Sequence, residues 1–415
     1  MDKLIISGKN KIKGSIKIHG SKNSALPIIV SSLLSEKDLK LYNLPKVEDI
    51  NNMLKLIKLY GVRLTKSSNS ILLNSRNLKN ISADYDIVRK MRASVLILGP
   101  LLSRFGYAKL SLPGGCAIGT RPIDIHLKGL EKLGANFKIE NGFVIGKASK
   151  RLLGNKIKLN FPSVGATENI IMASVLAKGE TIINNAAREP EIIDLCNCLV
   201  SMGAKIKNIG SSRLLICGVD SLNEAKHEII SDRIVAGTYL ILAIMLNSKI
   251  EIKKFNPNHL VSLINILKKM GANFEIFENS AKVYPSKKLR SVKVATAPYP
   301  GFPTDLQAQL MALMSMVKGN SEIKETVFEN RFMHVPELNR LGAQIKVNKD
   351  KAIIEGSQNY KGAQVMASDL RASVSLVLAA LCANGKTTIN RVYHLDRGYE
   401  KIEKYLGKLG AKIKR

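Results

Sequence analysis

The sequence contains no tryptophan, and aromatic residues make up only 5% of it. A protein that grips nucleic acid by stacking on bases needs aromatic platforms interleaved with basic residues, and no such interleaving is found. Acidic residues are scarce as well: 33 Asp and Glu stand against 64 Lys and Arg, for a net charge of +31. That charge would argue for nucleic acid if it were clustered on one element. Instead the lysines are scattered along the whole chain among Ile and Asn, as on an ordinary solvated surface. Nucleic acid is therefore not expected as the main partner, although a positive field would help to recruit a small anionic substrate.

Long apolar runs are also missing. The best candidate, residues 234–246, is shorter than the roughly 20 residues a membrane span needs and carries Gly237 and Thr238. The opening MDKLIISGKNKIKG turns polar after one short apolar patch, unlike a secretory signal. The five cysteines, Cys116, Cys196, Cys198, Cys217 and Cys382, are odd in number and irregularly spaced, so they form no disulfide framework. Cys196 and Cys198 have no second pair to complete a zinc site, and no Walker-type or dinucleotide-binding loop follows a strand. These absences lead us to expect a soluble, cytosolic protein with reduced thiols, no membrane partner, no metal and no cofactor.

The 415 residues are 45% hydrophobic, enough for two to four domains or one repetitive array. A helix-like stretch ending in Gly and Ala or Val, followed by an alternating strand, recurs around Gly61, Gly134, Gly203, Gly271, Gly342 and Gly410. Neighbouring copies are about 70 residues apart, a spacing that signals structural repeats. The glycine suits the left-handed end of a helix, and the alternation that follows suits a half-buried strand. A second pattern keeps the same register: an apolar helix, a polar turn, then a strand, as in IIMASVLAKGETIINN and SLVLAALCANGKTTIN. Each repeat reads strand, helix, strand, helix, strand, strand. With one apolar face per helix, the repeats must pack on one another, and six copies suggest two halves of three.

The first helix of each repeat opens with Ser21-Lys22-Asn23, Lys90-Met91-Arg92, Ser163-Val164-Gly165, Ser231-Asp232-Arg233, Pro303-Thr304-Asp305 or Ser368-Asp369-Leu370-Arg371. Any one is ordinary capping. Six in equivalent phase, with Lys22, Arg92, Arg121 and Arg397 looking unpaired nearby, point to an anion site at helix N-termini. The most unusual stretch is Leu112-Pro113-Gly114-Gly115-Cys116-Ala117-Ile118-Gly119-Thr120-Arg121-Pro122. Its glycines and prolines predict an exposed, irregular loop. A thiol in such a loop is not placed for packing, and beside Arg121 it can act as general acid or nucleophile. The other four cysteines lie in apolar contexts and read as small buried hydrophobes.

These motifs, together with Gly20–Pro27, Met91-Arg92-Ala93-Ser94, Ala186–Glu191, Phe302–Gln309, Phe328–Met333, Asp369–Ala372 and Asp396–Glu400, resemble the enolpyruvyl transferase family, specifically its members acting on UDP-N-acetylglucosamine. The resemblance covers essentially the whole chain. It implies an α/β fold of the inside-out barrel type, with two domains of three repeats each and a ligand cleft between them. Residues 1–21 plus 230–415 would form one domain and residues 22–229 the other.

The reaction implied by the resemblance moves the enolpyruvyl group of phosphoenolpyruvate to the 3′-hydroxyl of UDP-N-acetylglucosamine, releasing phosphate by addition and elimination. Carried over residue by residue, Cys116 protonates the methylene carbon and Asp305 is the candidate base. Lys22, Arg121 and Arg397 hold the phosphate and carboxylate of phosphoenolpyruvate, and Asn23 touches the reacting sugar. The nucleotide sugar would be bound by Asn23, Arg92, Arg121, Pro122, Ile123, Asp124, Ile125, Phe161, Pro162, Ser163, Val164, Asp305 and Val327, with Asp369 and Arg371 in support. Phe161 stands where many relatives carry lysine, which leaves backbone contacts as this position's contribution. The sister transferase acting on shikimate 3-phosphate is the alternative, and it does not use the Cys116 loop. A basic nucleic-acid-binding protein is a remote one.

Overall fold

The computed structural model describes residues 2–79, 88, 91–112, 123–356 and 359–415. The six-fold pattern in the sequence is built as six units of sheet and helix. All six repeat glycines, Gly61, Gly134, Gly203, Gly271, Gly342 and Gly410, have positive φ, between 85° and 102°. That conformation turns the chain out of a helix and into the next strand, and a side chain adopts it only under strain.

Each repeat contributes one sheet. Five sheets have four strands; the sixth, Tyr107–Ser111, Phe143–Lys147 and Asn136–Glu140, has three among the described residues. In every four-stranded sheet, the strand after the first helix pairs antiparallel with a neighbour on one side and parallel with a single strand on the other. Glu180–Asn184 illustrates it: Ile183 faces Leu214 antiparallel and Ile157 parallel.

The chain divides into two compact units. One holds residues 20–112 and 123–230, and its last strand, Ala225–Glu228, pairs parallel with Asp38–Tyr42 of its own first repeat. The other holds residues 2–19 and 231–415. There the N-terminal strand Lys3–Ser7 pairs with Lys386–Asn390 of the last repeat, and Gly14–Lys17 runs parallel to Ile250–Lys253. Each unit has its own apolar core. Among the described residues no helix is long and apolar enough to cross a membrane.

The structure corrects one expectation. The two helices of a repeat do not both carry a single apolar face. The second ones, such as Glu48–Leu59 and Val261–Lys269, do. The first ones are buried almost all round: every residue of Arg233–Met245 and of Gln307–Met314 is buried, as are residues 370–381 of Leu370–Cys382. A helix enclosed on all sides loses its periodicity because no face needs polarity. Small residues permit the enclosure: a Cβ on Gly237 would lie 2.7 Å from Leu306 Cδ1 and 3.0 Å from Leu263 Cδ2. The N-termini of these buried helices carry the predicted polar residues. Side-chain caps come from Ser21, Ser163, Asp232 and Asp369. At Arg92 and Thr304 the helix instead begins as a 3-10 turn without a side-chain cap.

Candidate active site

In the unit of residues 20–230, Lys22 and Asn23 open helix Lys22–Ser31, both half-buried. Their position is fixed from below. Ser24 is fully buried and its hydroxyl donates to Asp194 Oδ2, which also accepts the Ile230 N–H at 3.2 Å. His227 Nε2 lies 2.8 Å from Asp194 Oδ1, and Ser21 N–H donates to Ile230 C=O at 2.7 Å. Lys22 does not stand unpaired, as the sequence suggested: its Nζ is 3.1 Å from Asp49 Oδ2, with the lysine 12% and the aspartate 2% exposed. Asp49 sits in the first turn of Glu48–Leu59, where the helix dipole favours a carboxylate.

Apart from Asp305 and Val327, the described residues expected to hold the nucleotide sugar lie at helix starts in this same unit. Arg92 begins the 3-10 turn Arg92–Ile97, half-buried. Ile123 precedes helix Asp124–Lys132, and Ile125 is half-buried in its first turn. Asp124 pairs with Lys128 at 3.3 Å. Phe161 and Pro162 lead into Ser163, whose hydroxyl accepts the Ala166 N–H at 3.4 Å as Val164 starts the helix. The Phe161 side chain is exposed, so no basic group stands at this position. Seven residues on, Glu168 is buried, and burial, then Glu191 and Glu189, push its carboxyl well above the usual range. Cys116, Arg121 and Pro122 lie outside the described residues.

In the other unit, Asp305 sits on the 3-10 turn Thr304–Leu306 between two arginines. Arg331 Nη2 reaches its Oδ1 at 2.7 Å, and Arg371 Nη2 reaches its Oδ2 at 2.6 Å. Both guanidiniums are buried. Burial alone would lower Arg371, but the charge and hydrogen bond of Asp305 more than reverse that, so it stays above its ordinary range. Each carboxylate oxygen has two acceptor positions, so the arginines orient Asp305 and still leave it capacity to take a proton.

A buried glutamate holds the surrounding loops. Glu325 Oε1 accepts from Thr296 Oγ1 at 2.8 Å and from Val327 N at 2.9 Å, and its Oε2 accepts from Thr304 Oγ1 at 2.9 Å. It thereby fixes Val327 and the residue next to Asp305 together. Asp369 caps helix Leu370–Cys382 by accepting from Arg371 N at 2.8 Å. Arg397, half-buried, ends the short helix Tyr393–Asp396. The next residue, Gly398, packs so close that a Cβ would lie 2.7 Å from Leu370 Cδ2, which keeps the Arg397 turn against the helix that carries Arg371.

Residues 6–406 match the EPSP synthase (3-phosphoshikimate 1-carboxyvinyltransferase) family. The chain belongs to the enolpyruvyl transferase family. It is 51% identical over 415 residues to the UDP-N-acetylglucosamine 1-carboxyvinyltransferase of Pelagibacter ubique, covering all of both chains. It is 50% identical over 418 residues to the protein of the same name from Helicobacter pylori, covering all of this chain and 99% of that one. Among solved structures, the enolpyruvyl transferase NikO from Streptomyces tendae superposes with a TM-score of 0.91 at 24% identity, covering 99% of this chain and 98% of that one. EPSP synthase from Acinetobacter baumannii does so with 0.78 at 18%, covering 100% and 99%. At those identities the two structures establish the fold.

In this enolpyruvyl transferase the structure brings Asp305, Arg371, Asp369, Val327 and Arg397 into one unit, and Lys22, Asn23, Arg92, residues 123–125 and residues 161–164 into the other. Three residues with clear structural roles escaped the sequence reading. Arg331 lies inside a quoted motif, Phe328–Met333, but nothing local ties it to Asp305. Asp49 and Glu325 belong to no motif assigned to the site, and only their burial reveals them. Of the cysteines, Cys196 and Cys198 are buried as expected, and burial pushes their thiols up to about 12. Cys217 departs from that expectation. It is half-buried at the end of the inner strand Arg213–Cys217, with its Sγ 3.4 Å from Glu180 Oε1.

Proposed function

We propose that this carboxyvinyl transferase moves the enolpyruvyl group of phosphoenolpyruvate to the 3′-hydroxyl of UDP-N-acetylglucosamine, as the names of its full-length relatives indicate for them. The observation that carries the reading is agreement over the entire chain at about half identity, with the motif residues Lys22, Cys116, Asp305 and Arg397 all present. The two sets of residues described above then serve one reaction.

Lys22, Arg121 and Arg397 neutralise the phosphate and carboxylate of phosphoenolpyruvate and hold it for attack. Cys116 gives its proton to the methylene carbon, which turns the adjoining carbon electrophilic. The sugar 3′-oxygen bonds to that carbon while its proton passes to Asp305, oriented by Arg331 and Arg371. In the tetrahedral adduct the methyl group then returns a proton to the Cys116 thiolate, the C–H electron pair restores the double bond as an enol ether, and phosphate leaves with the C–O electron pair, taking up the proton that Asp305 received. Each proton and electron pair is accounted for without an oxidant or a metal. Both substrates are anionic and phosphorylated and do not cross a membrane unaided, and this reading makes the chain a cytoplasmic enzyme.

The test is phosphate release from phosphoenolpyruvate with each of two acceptors. UDP-N-acetylglucosamine should support turnover and shikimate 3-phosphate should not. The reverse pattern would move the chain to the sister activity, and release with neither would refute the reading.

A further inference from the structure

Asn169 has no exposed surface. It lies in the middle of helix Val164–Ser174, in a run of otherwise mostly apolar residues, and it makes three hydrogen bonds to three other segments. Its Oδ1 accepts the Gly99 N–H at 2.7 Å, in the first turn of helix Leu98–Phe105. Its Nδ2 donates to Val95 C=O at 3.0 Å, in the 3-10 turn that begins with Arg92. The same Nδ2 lies 3.2 Å from Nδ1 of His126, itself 6% exposed, in helix Asp124–Lys132. A backbone N–H can only donate and a carbonyl can only accept, so the amide has one possible orientation. His126 Nδ1 must then be an acceptor, and the neutral ring carries its hydrogen on Nε2.

Glycines allow these segments to close on Asn169. A Cβ on Gly99 would lie 2.4 Å from Asn169 Oδ1 and 2.5 Å from its backbone oxygen. A Cβ on Gly129 would meet Ile170 Cδ1 at 2.4 Å, and one on Gly165 would meet His126 Cε1 at 3.0 Å. The four segments joined at Asn169 are those that begin with Arg92, Leu98, Asp124 and Val164. Three of them start with residues assigned above to the nucleotide sugar: Arg92; Asp124 and Ile125; Ser163 and Val164. Lys22, of the phosphoenolpyruvate set, is held instead by Asp49.

We propose that Asn169, with His126, is a positioning residue for the nucleotide-sugar site, setting the spacing of its three helix starts without touching the substrate. This rests on the function proposed above and adds a determinant of acceptor affinity to it. A polar group buried this deeply is stable only with all its partners in place, so the three segments keep one relative arrangement. Asn169 thus lives on the link between packing and binding, and the chemistry belongs to other residues.

The experiment compares Asn169→Leu, His126→Leu and His126→Asn with the wild-type protein, by calorimetric titration of UDP-N-acetylglucosamine and by steady-state and single-turnover kinetics. Losing two or three buried bonds should weaken UDP-N-acetylglucosamine binding roughly tenfold to a hundredfold in Asn169→Leu. The KM for phosphoenolpyruvate and the single-turnover rate at saturating sugar should change by less than about threefold on the same scale. His126→Leu should follow Asn169→Leu, whereas His126→Asn keeps an acceptor at the Nδ1 position and should recover most of the affinity. Unchanged sugar affinity, an equal rise in both KM values, or no difference between His126→Asn and His126→Leu would each overturn the proposal. The His126 pair decides the matter if Asn169→Leu does not fold. A wild-type chain that neither binds nor turns over UDP-N-acetylglucosamine would refute the function itself, a result separable from failure of the variants alone.

Discussion

Lys22 and Asp49 form an ion pair almost out of reach of water, 3.1 Å from Nζ to Oδ2. The lysine that should grip the phosphate of phosphoenolpyruvate is therefore already neutralised within its own unit. Replacing one partner of such a pair leaves a buried charge uncompensated and costs about 3–5 kcal/mol. Asp49→Asn should lower the melting temperature of the ligand-free enzyme accordingly. Phosphoenolpyruvate then supplies the missing counter-charge, so its stabilising effect should be larger in the variant than in wild type. Thermal melts with and without phosphoenolpyruvate check this, and equal ligand shifts in the two proteins would remove Lys22 from the substrate.

Cys116→Ser should leave the melting temperature unchanged and lower turnover by at least about a hundredfold, the usual worth of a general acid. An unperturbed thiol ionises near roughly pH 8.5, and a serine hydroxyl is far less acidic, so it cannot hand a proton to carbon at the same rate. The epoxide fosfomycin should alkylate the wild-type thiol, as the family resemblance implies, and should leave the serine variant unmodified by mass spectrometry. Near-normal steady-state turnover in the serine variant would end the assignment.

Arg331 and Arg371 each hold one oxygen of Asp305, and lysine cannot reproduce the planar fork at either position. Loss of one charge-assisted hydrogen bond is worth about 1.5–3 kcal/mol, or about tenfold to a hundredfold in rate. Arg331→Lys should lower kcat by that factor while the KM for UDP-N-acetylglucosamine moves much less. A rise in KM with kcat intact would mean that Arg331 binds substrate uniformly and does not serve Asp305.

What could be read along the chain, and what could not, divides by distance. The six repeat glycines were legible because positive φ is a local demand, and the caps at Ser21, Ser163, Asp232 and Asp369 were legible because capping spans three residues. The enclosure of helices such as Arg233–Met245 was not, since a helix buried on every side has no polar stripe to betray it. Arg331 reaching back to Asp305, Glu325 tying Thr304 to Val327, and Asn169 joining Val95, Gly99 and His126 are contacts across 21 to 74 residues or, for Glu325 to Val327, a turn whose meaning depends on burial. No periodicity encodes them. The segments proposed for the sugar and the proposed base are named from motifs, while the residues that hold them in place emerge only from the folded structure.

His334 follows the Phe328–Met333 motif and is almost fully buried, with Nε2 3.2 Å from Met311 Sδ. Burial lowers its pKa from 6.5 to about 4; the charge of Arg331 pushes the same way, against an upward pull from Asp369. Between those two values the unfolded chain takes up a proton that the folded one refuses. The folded state therefore loses stability as pH falls from about 6.5 to about 4, by on the order of 3 kcal/mol at the lower end. The direction is opposite to that of a histidine held by a carboxylate, whose contribution is lost as pH rises. His334→Gln cannot take up this proton in either state, so its melting temperature should decline less steeply over that window, whatever its value at pH 8. Because Arg331 also orients Asp305, the acid limb of kcat should shift along with stability if protonation of His334 disturbs the arginine. Melting curves and kcat at half-unit steps from pH 4 to 7, for wild type and His334→Gln, measure both; parallel melting profiles would show that His334 is not the group that titrates.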